Sequence, residues 1–110
     1  MNMEVPPKGE NNQEKIKKEK VLEMLRTNGL DHPETKKLVM KWTKQREVEV
    51  EKENTSRATI VFNIERSDLY IAMWDKEGAI KCLKDVLTQA YQENEKGLQE
   101  QILEKLRGLK

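Results

Sequence analysis

Residues 57–74 constrain the fold more than any other stretch of the chain. At about 100° per residue, their apolar side chains fall on two separate arcs. Ala58, Val61, Phe62, Leu69, Ala72 and Met73 form the wider arc, and Ile60, Ile64 and Ile71 form the other. Polar Asn63, Arg66, Ser67 and Asp68 lie between them. A helix that is apolar on two sides is packed on two sides. The segment therefore belongs at the centre of an all-α domain. Glu65 sits within the wider arc, where it either reaches out to a lysine or lines a groove.

The rest of the chain supplies neighbours for that helix. Residues 13–27 carry a short stripe of Ile16, Val21, Leu22, Met24 and Leu25, stopped by Asn28-Gly29. Asp31 and Pro33 mark the next helix start, with Asp31 as the cap, and Leu38, Val39 and Trp42 follow. Val48 and Val50 then alternate with Glu47, Glu49 and Glu51, which is a strand-like pattern. Residues 47–62 can be read as a hairpin, or as a helix to about Glu51 with a loop through Ser56. The helix is preferred, because the hairpin loop would be long and an isolated two-stranded hairpin is marginal. Asp75 caps a helix with the strongest amphipathic pattern of the chain: Ala79, Ile80, Leu83, Val86, Leu87 and Ala90. Asn94 is expected to cap the last helix, which carries Leu98, Ile102, Leu106 and Leu109. Short connections favour antiparallel neighbours. The expectation is a bundle of four to five antiparallel helices over residues 13–110. Residues 1–12, with Pro6, Pro7 and Gly9, read as a disordered N-terminal tail.

Composition narrows the chemistry. Lys+Arg number 21 against Asp+Glu 20, a net charge of +1, and each half of the chain is close to neutral. A nucleic-acid binder shows a basic excess, since phosphate neutralisation supplies much of its affinity. The alternative of a nucleic-acid- or ribosome-associated protein would rest on Lys15, Lys17, Lys18 and Lys20, and on Lys36, Lys37, Lys41 and Lys44 with Trp42 stacking. The lone Cys82 forms no internal disulfide and reads as a structural thiol. With His32 the only histidine, no Cys/His metal site or nucleophile–base pair stands out, so neither a cofactor nor catalysis is expected. No apolar run reaches membrane length and the first twenty residues lack a signal-type core, which points to the cytoplasm and away from a membrane.

Residues 63–91 resemble a tetratricopeptide repeat, a helix–turn–helix of roughly 34 residues. Ser67 stands at the small position and Tyr70 at the aromatic one, followed by Asp75, Ala79-Ile80, Leu83 and Leu87. Asn63 and Arg66 depart from its large aromatic and leucine, Trp74 replaces the turn glycine, Val86 the second small residue, and Tyr91 the closing proline. One repeat is visible, which implies a repeat-like hairpin with further helices packed on it. The resemblance implies a protein-binding scaffold. By its register, the groove-facing positions of the first repeat helix are Val61, Ile64, Glu65, Asp68, Ile71 and Ala72. Either Leu38, Val39 and Trp42 fill that surface from within, or it meets a protein or peptide, including a second copy of the chain. Trp42 and Trp74 are the aromatic candidates for such a contact; Trp74 either plugs the turn or stands exposed as an anchor.

Overall fold

Five helices follow one another: α1 (Lys18–Asn28), α2 (Pro33–Glu53), α3 (Ser56–Ala72), α4 (Lys76–Gln92) and α5 (Lys96–Leu109). The computed structural model describes residues 15–109, and the tail expected over residues 1–12 lies outside them. Among the described residues there is no strand.

Each boundary has a local cause. Residues 15–17 do not join α1, because Lys17 is extended and provides no side-chain cap. They lie along α2 instead: the Ile16 amide donates to Gln45 Oε1 at 2.9 Å, and Lys15 pairs with Glu49 at 3.2 Å. Gly29, at φ 80°, ends α1 with its N–H on the Leu25 carbonyl. The cap of α2 is His32 rather than Asp31. Pro33 takes the first helical position, which places the residue before it at the cap. His32 Nδ1 accepts the Glu34 amide at 3.3 Å.

The helix α2 then runs unbroken to Glu53, so residues 47–51 are helical and the hairpin does not form. The alternating valines part company on that helix. Val50 packs into the core, whereas Val48 stays exposed. Asn54, in the left-handed region at φ 53°, closes α2 with its N–H on the Val50 carbonyl at 2.8 Å. Thr55 caps α3 through the Ala58 amide, and Asp75 caps α4 through the Gly78 amide.

Asn94 does not cap α5. At φ 59° it terminates α4: its N–H bonds the Tyr91 carbonyl, and the Glu95 N–H bonds that of Ala90. This is the double hydrogen bond of a Schellman turn. The Glu95 carbonyl then accepts the Gln99 amide and opens α5.

Helices α3 and α4 run antiparallel. The start of α4 meets the end of α3 at Gly78 and Tyr70, and the middle of α4 meets the middle of α3 where the Cys82 thiol donates to the Asn63 carbonyl. As expected, α3 is shared by two cores. Phe62, Leu69 and Ala72 join Val21 and Leu25 of α1 and Trp42 of α2. Ile60 and Ile64 join Leu83, Val86 and Ala90 of α4, with Leu98, Ile102 and Leu106 of α5. Among the described residues the backbones of α1 and α2 approach neither α4 nor α5. The molecule is thus two three-helix units with α3 in common.

Leu83 is fully enclosed in the second core. Leu83→Ala is expected to lower unfolding stability by about 2–5 kcal/mol in chemical denaturation. The first turn of α2 holds a contrasting case, Thr35, whose buried hydroxyl finds no hydrogen-bond partner. Thr35→Val removes that unsatisfied group without changing shape, and should raise stability by about 1 kcal/mol in the same assay.

Candidate functional site

The turn after α3 repeats the hydrogen bonding of the turn after α4. The Trp74 N–H bonds the Ile71 carbonyl at 3.0 Å, and the Asp75 N–H bonds that of Tyr70 at 2.9 Å. Trp74 takes the left-handed position, at φ 64°. That conformation is easy for glycine and tolerable for asparagine, but a residue with a bulky side chain loses roughly 1–2 kcal/mol there. No burial offsets the loss, because Trp74 is 82% exposed.

Beside it is a shallow pocket of 240 Å³ walled by Leu22 and Arg26 of α1, Asp68, Ile71 and Ala72 of α3, and Trp74 itself. Through Asp68 it adjoins a second hollow of 180 Å³ that includes Lys18, Val61, Glu65 and Lys105. Together they form one surface along the edge where α1 and α5 flank α3. Asp68 holds both flanks: Lys18 of α1 reaches it at 3.1 Å and Lys105 of α5 at 2.8 Å. Glu65 pairs with Arg46 of α2 at 2.8 Å, and Arg46 pairs in turn with Glu49. Among the described residues Arg26 makes no ion pair.

Of the sequence-expected site residues, Val61, Ile64, Glu65 and Asp68 line the second hollow and Asp68, Ile71 and Trp74 the first, whereas Trp42 lies away from both. Ile64 is buried in the α3–α4–α5 core, and Val61 packs at its margin. Trp42 is a core residue rather than a surface anchor: it is 2% exposed and meets Phe62 at 6.0 Å between ring centroids, because α2 docks its apolar stripe on α3. Leu38 and Val39 pack at that core too, so they cover the Phe62–Leu69 side of α3 and not the Val61–Ile64 side. Glu65 and Asp68 remain at the edge, held in ion pairs. Ile71 and Trp74 remain exposed. Sequence reasoning missed Leu22 and Arg26. Leu22 belongs to the apolar stripe of α1, but only the docking of α1 beside α3 turns that stripe into a pocket wall.

A separate cleft of 360 Å³ lies on α3 and α4, lined by Asn63, Arg66, Tyr70, Lys81, Cys82 and Asp85 among others. Burial pushes the Cys82 thiol pKa up and outweighs the opposing pull of Arg66. The thiol is therefore a weak nucleophile at neutral pH. Among the described residues no group of His, Cys, Asp and Glu converges so as to hold a metal ion. No helix among them is long and apolar enough to cross a membrane. Comparison with protein-family models, with curated proteins and with solved structures finds no match.

The ion pairs that position the edge carry an acid sensitivity. Burial pushes the Glu49 carboxyl up, but its bonds to Arg46 and Lys15 outweigh this and hold it below the usual 4.5. Its stabilising contribution is then present above pH 4.5 and is lost as pH falls through the lower folded-state value. Glu49→Gln should flatten the fall in thermal stability below pH 4.5, by a small amount because the pair is partly solvated. An acid limb identical to that of the unmodified chain would assign the sensitivity to other carboxylates.

Proposed function

We propose that this chain is a small, non-enzymatic helical interaction module of the cytoplasm, an adaptor or scaffold. It takes a protein or peptide segment on the edge formed by α1, α3 and α5. The observation that carries this reading is Trp74. A large aromatic side chain occupies a backbone position that favours glycine, gains nothing from burial, and stands beside an apolar pocket. Strain held without a folding benefit is a reason to look for a binding role. Tryptophan is also the side chain most often found at the energetic centre of an interface.

The tetratricopeptide-like reading of the α3–α4 hairpin has its own support. Ser67 and Ala79, at the small positions, are both inaccessible to solvent. A Cβ on Gly78 would come within 2.8 Å of the Tyr70 ring, so the hairpin closes tightly at its turn. The replacement of the turn glycine by Trp74 places the strained residue where a partner can reach it. The alternative nucleic-acid reading loses part of its basis, because Lys15 and Lys18 are committed to Glu49 and Asp68.

Trp74→Gly separates folding from binding. Relief of the left-handed strain should raise stability by about 1 kcal/mol. The same substitution should abolish capture of a partner from native lysate treated with nuclease. A variant that is less stable, or that captures the same partner equally well, would make Trp74 an ordinary packing residue.

A further inference from the structure

The outward face of α2 carries a charge order that nothing among the described residues explains. Lys37, Met40, Lys41, Lys44, Glu47, Val48 and Glu51 are all exposed. At 3.6 residues per turn they fall within an arc of about 120°. The basic residues occupy its N-terminal half and the acidic residues its C-terminal half. Glu51, in the last turn, meets the negative end of the helix dipole, which favours bases there. The order also sets like charges one turn apart, Lys37 near Lys41 and Glu47 near Glu51, where they repel. Among the described residues none of the five charged groups makes an ion pair. Each half also carries one exposed aliphatic side chain, Met40 (67%) among the lysines and Val48 (47%) among the glutamates.

We infer that this face pairs with the same face of a second copy of the chain, the two α2 helices lying antiparallel about a two-fold axis at Lys44. The antiparallel orientation lays the basic half of each helix along the acidic half of the other. With the axis at Lys44, Met40 comes level with Val48 of the second copy, Lys41 with Glu47, and Lys37 with Glu51. Each correspondence occurs twice, as an isologous contact requires. A parallel pairing would set lysine on lysine. Lys44 against its own copy is the one repulsive element. A single helix pair buries less than the roughly 1,200–2,000 Å² of a stable interface, so the dimer should form in roughly the micromolar range. Much of its attraction is between exposed charges, so it should weaken as salt rises. None of these residues lines the Trp74 pocket, and the inference does not rest on the proposed function.

The test uses two charge variants of the full chain. Lys37→Glu with Lys41→Glu makes the face acidic throughout, and Glu47→Lys with Glu51→Lys makes it basic throughout. All four positions are exposed, so both variants should fold, which circular dichroism checks. In sedimentation velocity at low salt, the unmodified chain should show a concentration-dependent dimer that dissociates at high salt. Each variant alone should be monomeric, and an equimolar mixture of the two should restore the dimer. Lys44→Gln should tighten it. Three results would overturn the inference. One is an unmodified chain that stays monomeric throughout the concentration series at low salt. Another is a dimer that both variants leave intact. The third is a monomer that binds a mixed-sequence RNA oligonucleotide and loses it in the acidic variant, which would make the lysine half of α2 a polyanion site.

Discussion

The burial of α3 on two opposite sides is the constraint on which the other four helices depend. A helix with a single apolar stripe is satisfied by one partner layer. Phe62, Leu69 and Ala72 demand one set of neighbours, and Ile60 and Ile64 demand another. What remains of the helix surface at the edge is Glu65, Asp68 and Ile71. Asp68 takes one lysine from each unit, so a single carboxylate fixes how far α1 and α5 lie along α3. Ion pairs that are largely withdrawn from water add little net stability, since desolvation offsets the attraction. Their effect here is on register: a helix slid by one turn would leave Asp68, and the lysines aimed at it, without partners.

Much of this was legible in the sequence because helical period and burial are the same information. The two arcs of residues 57–74 anticipated the two cores, and the stripe from Ala79 to Ala90 anticipated the face of α4. The illegible parts are those in which tertiary contact overrides a local pattern. Val48 and Val50 alternate as a strand would, which left a hairpin open beside the preferred helix; α2 continues through them because one valine finds a core and the other need not. Asp31 and Asn94 are good capping residues in isolation. Each lost the role to a neighbour, because Pro33 fixes the start of α2 and the turn after α4 needs a left-handed residue more than a cap. The candidate site was legible on α3 but not beyond it, for the same reason. Positions on α3 could be assigned to a face, but which of them α1, α4 and α5 would cover depended on how those helices dock.

The two inter-helical turns after α3 and α4 are built alike, and their difference isolates what Trp74 contributes. Both close with the same pair of hydrogen bonds, and both require a residue of positive φ. Asn94 meets that requirement with a side chain suited to it. Trp74 meets it with a side chain that is neither suited to the backbone nor sheltered by the fold. Geometry within the turn therefore gives no reason for tryptophan. The proposed partner would supply one, sharing with Trp74 the adjoining apolar pocket of Leu22, Ile71 and Ala72.

The α2 face and the Trp74 edge are both at odds with the stability of an isolated chain, one through charge order and the other through backbone strain. They lie on different helices, so occupation of one leaves the other open. An antiparallel α2 pair would hold two Trp74 pockets in one particle. A partner with two docking segments would then bind the second one intramolecularly, at an effective concentration set by the linker between the segments. Two contacts that are each weak would thereby become selective for partners in which the segments are correctly spaced. For a domain with so small a core, such avidity is a physically economical source of specificity, because it needs no larger interface on either chain.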